Sequence, residues 1–162
     1  MGRRDRAAVQ APRQADMVAV MDALRRVVRA LRVSTRAAER RFGISGAQLF
    51  VLEKLVEAPA PSVDHLAART LTDQSSVSMV VSRLVAADLV RRTPSRGDAR
   101  RVSISLTPSG RALVRKAPHT AQTRLIAGLQ TFSRSELRQL GDYLEAVSEL
   151  AGEPVEGESR GE

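Results

Sequence analysis

The stretch that decides the fold runs from Ser62 to Thr107. It opens with Ser62-Val63-Asp64-His65-Leu66-Ala67, passes through Asp73-Gln74-Ser75-Ser76-Val77-Ser78, and closes with Asp98-Ala99-Arg100-Arg101-Val102-Ser103-Ile104-Ser105-Leu106-Thr107. Ser62 has the short oxygen-bearing side chain that satisfies free amides at a helix start, so a helix is expected from there to about Thr70. Thr72 or Asp73 caps a second, which turns Val77, Val80, Val81, Leu84 and Val85 inward. Only a few residues separate the two. After Leu89 the period changes to two: Val102, Ile104 and Leu106 alternate with Arg101, Ser103 and Ser105, which is a strand with one buried face. Val90 to Thr93 is its expected partner, and Pro94-Ser95-Arg96-Gly97-Asp98 supplies the turn. The order is helix, tight turn, helix and a basic hairpin.

Upstream, Ser45 with Gln48 forms a capping box and starts a helix whose buried positions are expected at Leu49, Leu52, Leu55 and Val56. Pro59 and Pro61 end it. Further upstream, Met17, Val20, Met21, Leu24, Val27, Val28 and Leu31 recur at steps of three and four, the pattern of an amphipathic helix. Downstream, Thr107 followed by Pro108 is an N-cap with proline at the first helical position. The helix it launches toward Leu129 is expected to kink or break at Pro118. Ser133 and Glu136 form another capping box, and Leu137, Leu140, Leu144, Val147 and Leu150 give the last helix its apolar stripe. Residues 13–44 and 108–151 read as a helical dimerisation region around a module at 45–107. Residues 1–12 and 152–162 read as disordered tails. The apolar stripes of the first and last helices exceed what a small module can cover, which points to a homodimer.

A formal net charge of +8 with 43% hydrophobic residues describes a folded cation whose natural partners are polyanions. Lys54 and Lys116 are the only lysines, so nearly all the positive charge is arginine, the better fork for phosphates and guanine edges. The chain has no cysteine, which excludes disulfides and thiolate zinc sites. No uninterrupted apolar segment is long enough for a signal peptide or a membrane span, so a cytoplasmic protein without a membrane partner is expected. There is no phosphate loop of P-loop type and no nucleophile with a matching base, so the chain is not expected to be an enzyme, and no catalytic residue and no cofactor are expected. His65 and His119 fall in different helices without clustered acidic or thiol partners, so they read as structural or surface histidines and no metal site is expected. Phe42, Phe50, Phe132 and Tyr143 fit either a core or an effector cavity, and no ligand-binding residues are assigned.

The order and spacing of these motifs resemble the multiple-antibiotic-resistance regulator (MarR) family of winged helix-turn-helix regulators, from roughly Val18 to Leu150. The carrying residues are Gln48 to Leu55, Val63 to Ala68, Asp73 to Leu84, then Leu89-Val90-Arg91-Arg92, the wing at Asp98-Ala99-Arg100-Arg101, and Gly110-Arg111. Asp88 departs from the pattern, standing where the family usually has glycine, and the absence of cysteine sets the chain apart from the family's oxidant sensors. The resemblance implies a mostly α fold with a small β-hairpin wing. It also implies a homodimer that places two modules over successive major grooves of a pseudo-palindromic double-stranded DNA operator, with half-sites about 10 base pairs apart.

The candidate DNA-binding residues are Ser62, Gln74, Ser75, Ser76, Ser78, Arg83, Arg96, Asp98, Arg100 and Arg101. Gln74 and the serines at the start of the second helix are candidates for base edges, although Ser75 and Ser76 equally suit the free amides of a first turn. Arg100 is assigned to the minor groove, and Asp98 to orienting an arginine. Arg83, Arg96 and Arg101 are assigned to phosphates. The expected function is a sequence-specific, dimeric regulator responsive to a small-molecule effector, a repressor in preference to an activator. The alternative is an architectural protein that coats DNA with little sequence choice.

Overall fold

Four side chains set the helix boundaries of the central module. Ser45, Ser62, Asp73 and Thr107 each sit in extended backbone and accept a hydrogen bond from the amide three residues on, at Gln48, His65, Ser76 and Gly110. The capping box at Ser45 is complete, because the Gln48 side chain accepts from the Ser45 amide at 2.8 Å. The structure, a computed structural model, describes residues 3–95 and 98–152. The elements follow as α1 Arg3–Phe42, α2 Gly46–Glu57, α3 Val63–Thr70, α4 Gln74–Ala86, β1 Val90–Ser95, β2 Asp98–Leu106, α5 Pro108–Lys116, α6 Ala121–Leu129 and α7 Arg134–Gly152. Helical backbone thus occupies residues 3–12, where a disordered tail is expected from the sequence; Ala7, Ala8 and Ala11 in that run have the highest helix propensity. The chain from Pro108 to Leu129 is broken at Pro118 into α5 and α6, as a missing amide donor demands.

Residues 1–123 and 124–162 form two compact units. In the first, α2 runs through the core: Leu49, Leu52 and Leu55 pack with Leu66 of α3, Val77, Val81 and Leu84 of α4, Val90 of β1, and Ile104 and Leu106 of β2. Ala38 of α1 belongs to the same cluster, and Leu113 and Val114 of α5 lie against it. The hairpin is antiparallel, pairing Val90 with Leu106 and Arg92 with Ile104, and its register shifts between Pro94 and Ser95. Ala60, between Pro59 and Pro61, pairs with β2 on the edge away from β1: its amide donates to Ile104 O at 2.9 Å and its carbonyl accepts from Ile104 N at 2.7 Å.

Three expected core positions are exposed instead. Val56 and Val85 each follow a buried leucine by one residue, which is about 100° around the helix and onto the outer face. Val102 pairs with Pro94 beside the register shift, and its side chain is 42% exposed. In the second unit α7 begins at a capping box in which Ser133 N donates to Glu136 and Glu136 N to Ser133 Oγ. None of its residues is buried, so the stripe Leu137, Leu140, Leu144, Val147 and Leu150 is open along its length.

Candidate nucleic-acid interface

The tight turn between α3 and α4 fixes how α4 is presented. Leu71 closes α3 in the left-handed region at φ 53°, and its amide is bonded back to Ala67 and Ala68 carbonyls. Thr70 is buried, with its hydroxyl donating to Leu66 O at 2.9 Å. Arg69 ties the pair to α2: its guanidinium donates to the carbonyls of Ala58, at 2.7 Å, and Lys54, both at the C-terminal end of α2. That contact satisfies carbonyls the helix leaves free and sets the angle between the two helices.

With Val77, Val81 and Leu84 facing the core, α4 turns Gln74, Ser75, Met79, Ser82 and Arg83 to solvent. Asp73 organises its first turn, accepting from Ser75 Oγ at 2.5 Å and Ser76 N at 2.8 Å. The Ser75 hydroxyl bond, followed by those from Ser76, holds the Asp73 carboxyl well below the usual carboxylate range. Ser75 and the Ser76 amide therefore serve the cap, and Ser76 is half-buried. Ser62 likewise serves as the α3 cap, accepting from His65 N at 3.1 Å. Gln74 has no such structural duty and stands exposed at the first position of α4.

The hairpin lies against this end of the module. Ser62, His65, Gln74, Arg92, Val102 and Ile104 line an open cleft of about 660 Å³, so two of the expected site residues share one surface with a wing arginine. Arg92 Nη2 donates to Ser82 Oγ at 3.4 Å, linking β1 to the outer face of α4, and Arg91 Nε donates to Ser105 Oγ at 3.3 Å across the hairpin. Arg83 is exposed in the last turn of α4. Asp98, Arg100 and Arg101 are placed by their backbone in the first part of β2; Arg96 lies outside the described residues. The sequence reading passed over Met79, Ser82 and Arg92. For Met79 and Ser82 the signal was the helical period itself, since 75, 79 and 82 share a face of α4, whereas Arg92 lies on β1 and had no such signal.

A buried carboxylate that sequence reasoning also missed stands apart from this surface. Glu53 of α2, 7% exposed, accepts from Thr120 N and Thr120 Oγ1, both at 2.8 Å, and from the Thr123 hydroxyl at 2.5 Å. Ser34 of α1 accepts from Ala121 N at 3.0 Å, so α1 and α2 together hold the first turn of α6. His119 Nδ1 lies 3.6 Å from the Glu53 carboxylate with its ring largely exposed, and His65 is exposed on α3. Phe50 is buried with the Lys54 ammonium 5.8 Å from its ring centre, whereas Phe132 and Tyr143 are exposed in the second unit. Among the described residues no group of three or more His, Cys, Asp or Glu stands close enough to hold a metal ion.

Comparison with known proteins accounts for this arrangement. The model of the MarR family matches residues 42–101, the span from the end of α1 through both helices of the turn into β2. An uncharacterised HTH-type transcriptional regulator of Mycobacterium bovis is 33% identical over 107 residues, covering 64% of this chain and 75% of that protein. The chain belongs to the MarR family. Another relative, the HTH-type transcriptional regulator TtmR of Methylorubrum extorquens, is 35% identical over 103 residues, 62% of this chain, and this chain spans 50% of its length. Among solved structures, BpsR of Bordetella bronchiseptica, whose DNA binding is regulated by 6-hydroxynicotinic acid, matches with a TM-score of 0.53 at 26% identity over 80% of this chain and 98% of its own. The MarR fold is thus a winged helix-turn-helix in which α3 and α4 are the helix pair and β1 and β2 the wing. Among the described residues no helix is long and apolar enough to cross a membrane.

Proposed function

We propose that this MarR-family regulator is a cytoplasmic homodimer that reads a pseudo-palindromic DNA operator with two copies of α4 and represses the gene behind it. The observation that carries the reading is the outer face of α4. Its exposed strip, Ser75, Met79 and Ser82, is uncharged, as a surface meant for base edges should be, and it is flanked by arginines on α4 and on the wing, as contacts to phosphates require. Gln74 offers adenine a bidentate pair, Ser78 a single hydroxyl, and Arg83 and Arg92 meet phosphates. On the hairpin, Arg100 enters the minor groove with Asp98 orienting an arginine, while Arg96 and Arg101 add phosphate contacts. Ser62, Ser75 and Ser76 serve mainly by holding the helix starts that the DNA approaches.

Dimerisation is supported by the uncovered stripes of α1 and α7, since contiguous apolar surface of that extent is a mark of interfaces. An effector response is supported by BpsR, whose DNA binding a small aromatic acid regulates. In this chain such a ligand would shift the population away from the module spacing that fits the operator. The test is selection of sites from a randomised duplex pool at about physiological salt, where non-specific attraction is reduced. An enriched palindrome with half-sites about 10 base pairs apart is the expected result. Tight binding without enrichment would instead favour the architectural reading, which the charge of +8 by itself permits.

A further inference from the structure

The outer strip of α4 runs Ser75, Ser78, Met79, Ser82, and its longest side chain is apolar. Met79 is 55% exposed, while Val77, Val81 and Leu84 on the opposite side are at most 2% exposed, so its exposure is a property of the helix face and not of a loose helix. The hydroxyls of Ser75 and Ser82 on either side of it are turned back into the protein. Ser75 Oγ donates to Asp73 at 2.5 Å, and Ser82 Oγ donates to the Ser78 carbonyl at 2.9 Å while accepting from Arg92 at 3.4 Å. What projects furthest from this strip is therefore a thioether chain, flexible and polarisable, set between Ser75 and Ser82, whose hydroxyls are already hydrogen-bonded.

Met79 lies five residues after Gln74, a rise of about 7.5 Å along the helix, comparable with two base-pair steps. A helix of this kind fits the major groove, where the base edges carry one apolar group, the C5 methyl of thymine. We propose that Met79 reads a thymine methyl in each half-site, giving this chain a preference for thymine over uracil that hydrogen-bonding residues alone cannot impose. The assignment rests on the operator reading above and adds to it a residue and a base.

The experiment is a cycle that removes the methyl from either partner. The full-length protein and Met79→Ala are measured against the selected operator, with each thymine in turn replaced symmetrically by deoxyuridine. At one thymine per half-site, wild type should lose about fourfold in affinity for each methyl removed, and Met79→Ala should bind the thymine and deoxyuridine duplexes equally. Met79→Leu should restore the preference, because it restores the apolar contact. Because the side chain is exposed, both variants should melt with wild type, which separates loss of contact from loss of fold. If every deoxyuridine has the same effect on wild type and Met79→Ala, the methyl contact is wrong although operator reading stands. If no site can be selected for wild type, both proposals fall together.

Discussion

Glu53 shows how much one side chain can carry without showing in a sequence. Beside Lys54 and Glu57 it reads as another charge on a solvated helix, and its partners Thr120 and Thr123 come 67 and 70 residues later. Once buried, the carboxylate is kept by the donors around it, because an ion removed from water must regain its hydrogen bonds. Glu53→Ala would leave the Thr120 amide without its acceptor in a buried site, and a loss of about 2 to 4 kcal/mol in urea unfolding is expected. Unchanged stability would show that the α6 start is held by Ser34 alone. Asp73 is a different case, because its cap is visible in the sequence and its effect is on pH dependence. Its carboxyl titrates below the ordinary value of 3.8 in the folded state, so the stability it adds is complete above that value and is lost as pH falls toward the depressed one. Asp73→Asn keeps a good cap but removes the titration. The thermal midpoint of wild type should fall more steeply below about pH 4 than that of Asp73→Asn, while the two melt alike near neutrality. Parallel acid profiles would mean that other carboxylates dominate.

At the level of elements, the fold is held by junctions where backbone approaches backbone. Gly110, in the first turn of α5, lies so close to β1 that an added Cβ would sit 2.1 Å from the Leu89 carbonyl oxygen. Thr107 fastens the same junction, donating to Asp88 O at 2.7 Å and accepting from Gly110 N at 3.0 Å. Gly110→Ala must push α5 from the wing, and a loss of at least about 2 kcal/mol in denaturant unfolding is expected. A neutral result would mean that the junction yields cheaply. Asp88 in this turn takes φ 53°, the conformation for which the family's usual glycine is suited, so the departure noted in the sequence leaves the turn intact under strain. These elements were legible because their boundaries are chemical: Ser45, Ser62, Asp73, Thr107 and Ser133 each announce a helix start. Ala60 was not, since pairing with Ile104 depends on where α2 delivers the chain and a residue between two prolines carries no strand pattern. Val56 and Val85 were misread because an apolar run wider than the buried arc looks continuous in sequence. On the candidate interface, Gln74 and Arg83 were visible from position alone, whereas Met79 was passed over because an apolar residue on the outer face carries no polar signal for a site.

For the molecule as a whole, the terminal helices carry apolar stripes that the single chain leaves uncovered. Met17, Val20, Met21, Val27 and Val28 of α1 and Leu137, Leu140, Leu144, Val147 and Leu150 of α7 are each between 36% and 73% exposed in the single chain. Their spacing is that of a helix built to pack, and isolated exposed leucines would not repeat at three and four residues. The proposed homodimer would use that surface and at the same time give two α4 helices one linkage, so that the second half-site would be met at a high effective concentration. Placing charge in the α7 stripe should therefore separate assembly from reading. The double variant Leu144→Glu and Val147→Glu is expected to sediment as a monomer, because two carboxylates buried against apolar partners cost more than the interface can return. Neither residue is buried in the single chain, so the melting of residues 1–123 should survive and circular dichroism should still report their helices. Its affinity for the full palindrome should fall by at least about 100-fold, toward that of an isolated half-site, while binding to a duplex carrying one half-site changes little. A variant that remains dimeric would place the interface elsewhere, and one that is monomeric yet binds the palindrome undiminished would show that linkage between the modules contributes nothing to operator recognition.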